Sequence, residues 1–174
     1  MAETTKESKK KFSKGIITVQ ANEFIQKASY KNFDTVDIKI FKTILGKINH
    51  NETLFKDFYI IDYEDLDEVN IDKKNRFAIV TKSLKKLAAF YVQLEQGNST
   101  IEVGLIQNKF KYERNSSKIV VSVHEDLKPF LLDLSVKYTK YGIANLAQLK
   151  NVYSIKLFEL LKSFQALGYY ETTI

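Results

Sequence analysis

Residues 75–95 read Asn75-Arg76-Phe77-Ala78-Ile79-Val80-Thr81-Lys82-Ser83-Leu84-Lys85-Lys86-Leu87-Ala88-Ala89-Phe90-Tyr91-Val92-Gln93-Leu94-Glu95. The hydrophobic period changes within this stretch. Phe77, Val80, Leu84, Leu87, Ala88 and Tyr91 recur at the steps of one helix face, while Lys74, Asn75, Lys82, Lys85 and Lys86 fall on the other. From Tyr91 the pattern alternates. Tyr91–Glu95, then Ile101–Gln107 continued by Lys109–Tyr112, then Lys118–Val123 read as three strands. Turn formers at 96–99 and at Asn115-Ser116 separate them. A two-faced helix that runs into an antiparallel hairpin is the decisive pattern of the chain.

Working outward supports the same architecture. Upstream, 21–30 suits a short helix, and Asp34 or Thr35 is positioned to cap a longer one carrying Phe41, Ile44, Leu45 and Ile48. Phe58–Ile61 is a β-branched and aromatic run, and Tyr63–Val69 suits a brief helical turn. Downstream, helical patterns resume over Leu127–Val136, Ile143–Leu149 and Val152–Leu167, with Pro129 in a first turn where a missing N–H costs nothing. The order helix, helix, short strand, helix, hairpin predicts an α+β fold. It is a winged helix-turn-helix with additional C-terminal helices and a small antiparallel sheet as the wing. The expected organisation is a flexible basic N-terminal tail over 1–20 and one domain over 21–170.

Composition is that of a globular chain: 174 residues, 44% apolar and 28% charged, enough for one substantial core. Cysteine is absent, which removes disulfides, thiolate nucleophiles and Cys-based zinc sites from consideration. No stretch has the continuous apolar character of a signal peptide or a membrane span, so a cytoplasmic protein without membrane association is expected.

Net charge is +6, part of it reflecting a Lys-, Ile- and Asn-rich composition. Its distribution says more than its sum. Between Lys73 and Lys118 ten Lys/Arg stand against Glu95, Glu102 and Glu113, whereas from Glu52 to Asp72 eight acids face the single base Lys56. Such asymmetry is expected of a polyanion-binding surface.

Catalytic and metal-binding readings have little support. His50 and His124 are far apart and sit in no His-x-His or His-Glu-x-x-His arrangement, and no phosphate-binding glycine loop or nucleophile elbow occurs. The acidic run Asp62–Asp72 lacks glycine and the spacing of a calcium loop. The expectation is a non-enzyme without metal or cofactor. The candidate site is instead a DNA-binding one. The ammonium groups of Lys74, Lys82, Lys85 and Lys86 suit phosphates, and Asn75 suits an adenine edge. Lys109, Lys111, Arg114 and Lys118 cluster about the hairpin tip, where an arginine can enter a narrow minor groove. By themselves these residues also suit a solvated helix face and a hairpin edge guarded by charge.

One further block narrows the choice. Residues 149–164, LKNVYSIKLFELLKSF, place Tyr153, Leu157, Leu160, Leu161 and Phe164 on one helix face. Letter by letter they resemble the LKS-x-YSIRLYELLK signature of plasmid replication initiators of the iteron-binding Rep family, with Tyr153, Ser154, Lys156 and Glu159 at signature positions. Asp34–Lys47, the strand Ile119–Val123 with Leu127–Leu134 after it, and Val136–Tyr141 are similar to further family segments. Among its departures from the signature, Lys156 stands where the family usually has Arg, losing a bidentate fork, and Phe158 where it usually has Tyr.

The resemblance implies the N-terminal winged-helix domain of an initiator, with 171–174 beginning a linker to a second domain. It also implies homodimerisation, backbone contacts to repeated double-stranded origin sites and to an operator, autorepression, and encounters with a host initiator and replicative helicase. The alternatives are a winged-helix repressor with no replication role and a self-association module without DNA affinity, built on the acidic segment or a sheet edge.

Overall fold

Among the described residues short strands and helices alternate, and three small antiparallel sheets share one hydrophobic core with the helices. A computed structural model describes residues 15–112 and 115–165. In chain order these form β1 (Ile17–Ala21), α1 (Asn22–Lys27), β2 (Ala28–Ser29), α2 (Thr35–Leu45), β3 (Tyr59–Asp62), α3 (Arg76–Ala89), β4 (Tyr91–Gln96), β5 (Ser99–Gly104), β6 (Ile106–Tyr112), β7 (Lys118–Val123), α4 (Lys128–Leu131), β8 (Tyr138–Gly142) and α5 (Val152–Ser163). Short 3₁₀ turns at Tyr63–Asp67, Glu125–Leu127 and Ile143–Leu146 link them.

Helix α2 is the centre of the packing. Asp34 is its N-cap: its carboxylate accepts from the Asp37 amide at 3.1 Å, and the Asp37 carboxylate accepts from the Asp34 amide at 2.9 Å. This reciprocal capping satisfies donors the first turn leaves open. Ile38, Phe41, Ile44 and Leu45 of α2 are fully buried, joined by Phe24 of α1, Leu66, and Val80, Leu84 and Leu87 of α3. These last three are the inner half of the stripe read at 77–91. Tyr91 instead leaves the helix, enters β4 and is exposed.

The strands after α3 differ from the single expected wing. Residues 101–112 are two strands, not one, and they belong to different sheets. β5 pairs with β4, which also pairs with β2, while β6 pairs with β7, which also pairs with β3. The break falls at Gly104-Leu105, where the chain approaches His124 closely. A Cβ on residue 104 would lie 2.6 Å from the His124 ring, and the Leu105 carbonyl accepts from the His124 amide at 3.1 Å. The chain crosses itself there, and only glycine allows the approach.

Two further expectations are corrected. The helix read over Leu127–Val136 stops at Leu131, although Pro129 does occupy its first turn. Asp133 takes φ 51, and the amides of Asp133 and Leu134 donate to the carbonyls of Glu52 and His50, pulling the chain out of the helix. Residues Tyr138–Gly142, not read as a strand, form β8, which pairs with β1 in the register Val19↔Lys140. Strand β1 begins within the 1–20 segment read as tail. Thr18, Val19 and Gln20 are buried there, so the folded unit already includes residues before 21.

Candidate nucleic-acid interface

Helix α3 presents its outer face as the sequence pattern requires. Ala78, Lys82, Lys85 and Ala89 are exposed at steps of four, three and four, and the exposed Lys74 and Asn75 extend the stripe beyond the first turn. The helix has no carboxylate at all. Among the described residues the ammonium groups of Lys74, Lys82 and Lys85 enter no ion pair or side-chain hydrogen bond. The Asn75 side chain makes no capping bond to its own helix. What results is a row of cations suited to phosphate oxygens, with an amide at the end where the Asp72 carboxylate accepts from the Lys74 backbone amide at 2.9 Å.

Arg76 fixes how this helix begins. It is buried, donates to the carbonyls of Tyr63 (2.7 Å) and Ile71, and pairs with Asp67 at 2.8 Å. The hydrogen bond from Arg76, with the nearby cations, holds the Asp67 carboxyl below its ordinary range. Lys47 reaches Asp65 at 2.7 Å. The acidic run therefore has a structural task, clamping the 63–72 segment to α2 and to the start of α3.

Lys86 does not belong to the outer row. Its ammonium lies between Asp34 (3.3 Å) and Asp37, which also accepts from Ser83 Oγ at 2.6 Å. Lys86 follows Ser83 by three residues and shares the side of α3 that faces the capped start of α2. The hydrogen bond to Asp37 raises its pKa. This cation is neutralised internally and joins two helices, a correction to its reading as a phosphate contact.

The wing packs against α3 through aromatic rings. Phe77 of α3 meets Tyr112 of β6 edge-on at 5.4 Å, and Tyr112 stacks with Phe110 at 5.9 Å. In the register Phe110↔Val121, Lys111↔Val120, Tyr112↔Ile119, the rings share the inner face with Ile119 and Val121. Lys111 therefore points to the opposite face, as does Lys118, which pairs with Asp62 of β3. Lys109 is also exposed. The structure thus brings Lys74, Asn75, Lys82 and Lys85 together and sets the wing lysines on the outer face of the adjacent sheet. Arg114 lies outside the described residues.

Signature helix α5 is inverted relative to its reading. Tyr153, Leu157 and Leu161 are 82%, 47% and 52% exposed, whereas Ile155 and Glu159 are buried. Glu159 Oε1 accepts from Tyr141 OH (2.5 Å) and Gln20 Nε2 (3.3 Å), and lies 2.8 Å from the Lys42 ammonium. Lys42 also donates to Gln20 Oε1 at 2.6 Å and Tyr30 OH at 3.1 Å, among the rings of Phe24, Tyr30 and Phe41. Burial pushes the Tyr30 hydroxyl up to about 12 and that of Tyr141 well above its usual value. Lys156 donates to the Ile25 and Ala28 carbonyls, closing the C-terminal end of α1. Asn151 caps α5, accepting from the amide and hydroxyl of Ser154 at 2.8 and 3.0 Å. These signature side chains hold the fold together.

Sequence reasoning missed the partners Lys42, Gln20, Tyr30 and Tyr141. A signal was present: Lys42 falls four residues after Ile38 and three before Leu45, on the apolar stripe of α2.

With this geometry in hand, likeness to known proteins is informative. A family model described as "Initiator Replication protein, WH1" matches residues 17–162. The "Probable replication protein rep" of Bifidobacterium longum (strain NCC 2705) is 21% identical over 155 residues, covering 88% of this chain and 52% of the relative. The chain thus spans about half the length of that curated relative. Among solved structures, the Pi initiator protein in complex with iteron DNA is similar with a TM-score of 0.68 and 14% identity. That match covers 87% of this chain and 65% of the Pi chain, a likeness of fold. The winged-helix architecture expected from the sequence agrees with this neighbour. Among the described residues no helix is long and apolar enough to cross a membrane.

Proposed function

This chain belongs to the Initiator Replication protein WH1 family, and on that premise we propose that it is the origin-binding N-terminal domain of a plasmid replication initiator. It grips double-stranded DNA, at repeated origin sites and at its own operator, without catalysing a reaction and within the cytoplasm. The observation that carries this reading is the outer face of α3, which bears no carboxylate and presents the unpaired ammonium groups of Lys82 and Lys85, with exposed Lys74 and Asn75 just before its first turn. The Pi initiator, which shares the fold, was solved bound to iteron DNA.

In this reading Lys82 and Lys85 lie against phosphates at the major groove, Lys74 and Asn75 lie nearest the base edges, and the wing carries Lys109, Lys111, Arg114 and Lys118 to the flanking backbone. The deciding experiment is an anisotropy titration against iteron-bearing and scrambled duplexes at two salt concentrations. Binding that prefers the iteron duplex and falls steeply with salt supports the reading; salt-independent binding, or none, overturns it.

Dimerisation is part of the same proposal. Strand β5 is a sheet edge with Ser99, Thr100, Ile101 and Glu102 all exposed, a row of backbone groups that a second copy can pair with. Ile101→Lys should shift the sedimentation of this chain toward monomer. A host initiator and a replicative helicase complete the set of partners that the family reading implies.

A further inference from the structure

Helix α5 carries its apolar residues on the wrong side for a core helix. Tyr153, Leu157 and Leu161 follow one another at i, i+4 and i+8 and form an exposed ridge of about 12 Å. The opposite face packs on α1, α2 and β8, with Lys156 and Glu159 directed inward. Stacking three large apolar side chains on a solvent-facing row is unfavourable unless something covers them.

The surroundings of the ridge give the chemistry of that cover. At its C-terminal end Phe158, Leu161, Lys162 and Gln165 line a shallow apolar groove. Lys162 and Gln165 also line an adjoining pocket of about 520 Å³, whose rim adds Lys137 and Lys140 and, among the described residues, includes no carboxylate. The only acid in α5 is Glu159, which is buried and bound to Lys42. An oily ridge therefore leads to a pocket lined by three lysines, one of which, Lys162, donates to Gln165 Oε1 at 3.4 Å. A second copy of α5 would present the same cations and no matching acid. A DNA backbone would match the lysines but gain nothing from the ridge.

We propose that the ridge Tyr153–Leu157–Leu161, together with the Lys137, Lys140 and Lys162 pocket, docks an amphipathic helix of another protein. That helix carries leucine-like side chains on one face and glutamates or aspartates at one end. Its apolar row lies along α5 and its acidic end sits over the pocket. The site is separate from the α3 face and does not depend on DNA binding.

The test uses the full chain and a synthetic amphipathic peptide with leucines at i, i+4 and i+8 and glutamates at one end. A permuted peptide of equal composition and a peptide with lysines replacing the glutamates serve as controls. The designed peptide should bind saturably and shift the NMR signals of α5, and both controls should bind at least about tenfold more weakly. Leu157→Asp and Leu161→Asp should each weaken binding by about tenfold or more, and Lys162→Glu severalfold, with an unchanged thermal midpoint.

Equal binding of the peptides, or no binding, overturns the proposal. So does a lowered midpoint for Leu157→Asp, which would mean that the chain itself covers the ridge. Loss of self-association in that variant would assign the ridge to a second copy. Loss of duplex affinity in Lys162→Glu, with peptide binding intact, would assign the pocket to DNA.

Discussion

The Lys42 ammonium of α2 and the Glu159 carboxylate of α5 face each other at 2.8 Å with both side chains fully buried. Tyr30, Tyr141 and Gln20 complete the cluster, so it ties β1, α2, β8 and α5 together at one point. Removing one member leaves an uncompensated charge in the core. Glu159→Ala or Lys42→Ala should each cost about 3–5 kcal/mol in urea unfolding. The double change to Lys42→Met and Glu159→Leu should cost less than either, because it removes both charges and keeps volume.

Lys156 and the buried tyrosines should give stability a peak in alkaline solution. Burial lowers Lys156 to about 8, so between pH 8 and 10 the unfolded chain holds more protons than the folded one, and stability rises with pH. Above pH 10 the sign reverses. The unfolded tyrosines ionise while Tyr30, raised by burial to about 12, and Tyr141 stay protonated, so stability falls. Thermal midpoints measured from pH 7 to 11 should pass through a maximum near pH 10, and Lys156→Met should flatten the rising limb.

Lys82 and Lys86 should separate binding from folding. Lys82→Ala with Lys85→Ala removes two exposed cations, leaves unfolding within about 0.5 kcal/mol, and should lower the slope of log affinity against log salt by roughly 2. Lys86→Ala should destabilise by roughly 1–3 kcal/mol, because the buried Asp37 loses its cation. The two measurements are a binding isotherm at several salt concentrations and a denaturation curve.

Gly104 should tolerate no side chain. A methyl group there would meet the His124 ring where the two hairpins part, so Gly104→Ala should cost roughly 1–3 kcal/mol. Replacing His124 as well, by Ala, should recover part of that loss in the same unfolding assay.

Much of the helical frame was legible in the chain because its periods are strong. Asp34 caps α2, α3 spans nearly the length its apolar stripe predicts, and the short strand at 59–62 follows its aromatic and β-branched run. The misreadings have a common origin in local signals overruled at a distance. The run 101–112 alternates well enough for one strand, yet it divides at Gly104-Leu105, where His124, twenty residues on, packs against Gly104 and donates to the Leu105 carbonyl. Likewise Asp133 leaves its helix for carbonyls at 50 and 52. At the candidate interface Lys82 and Lys85 followed from spacing, while the capture of Lys86 by Asp34 and Asp37 required knowing where α2 begins.

The inside-out α5 has a consequence for how variation in this chain should be interpreted. A saturation screen scored for folding alone would find tolerance at Tyr153, Leu157 and Leu161, where the helix looks greasiest. It would find intolerance at Lys156 and Glu159, where the helix looks most polar. Hydropathy-based ranking of substitutions would therefore invert the true order at these five positions.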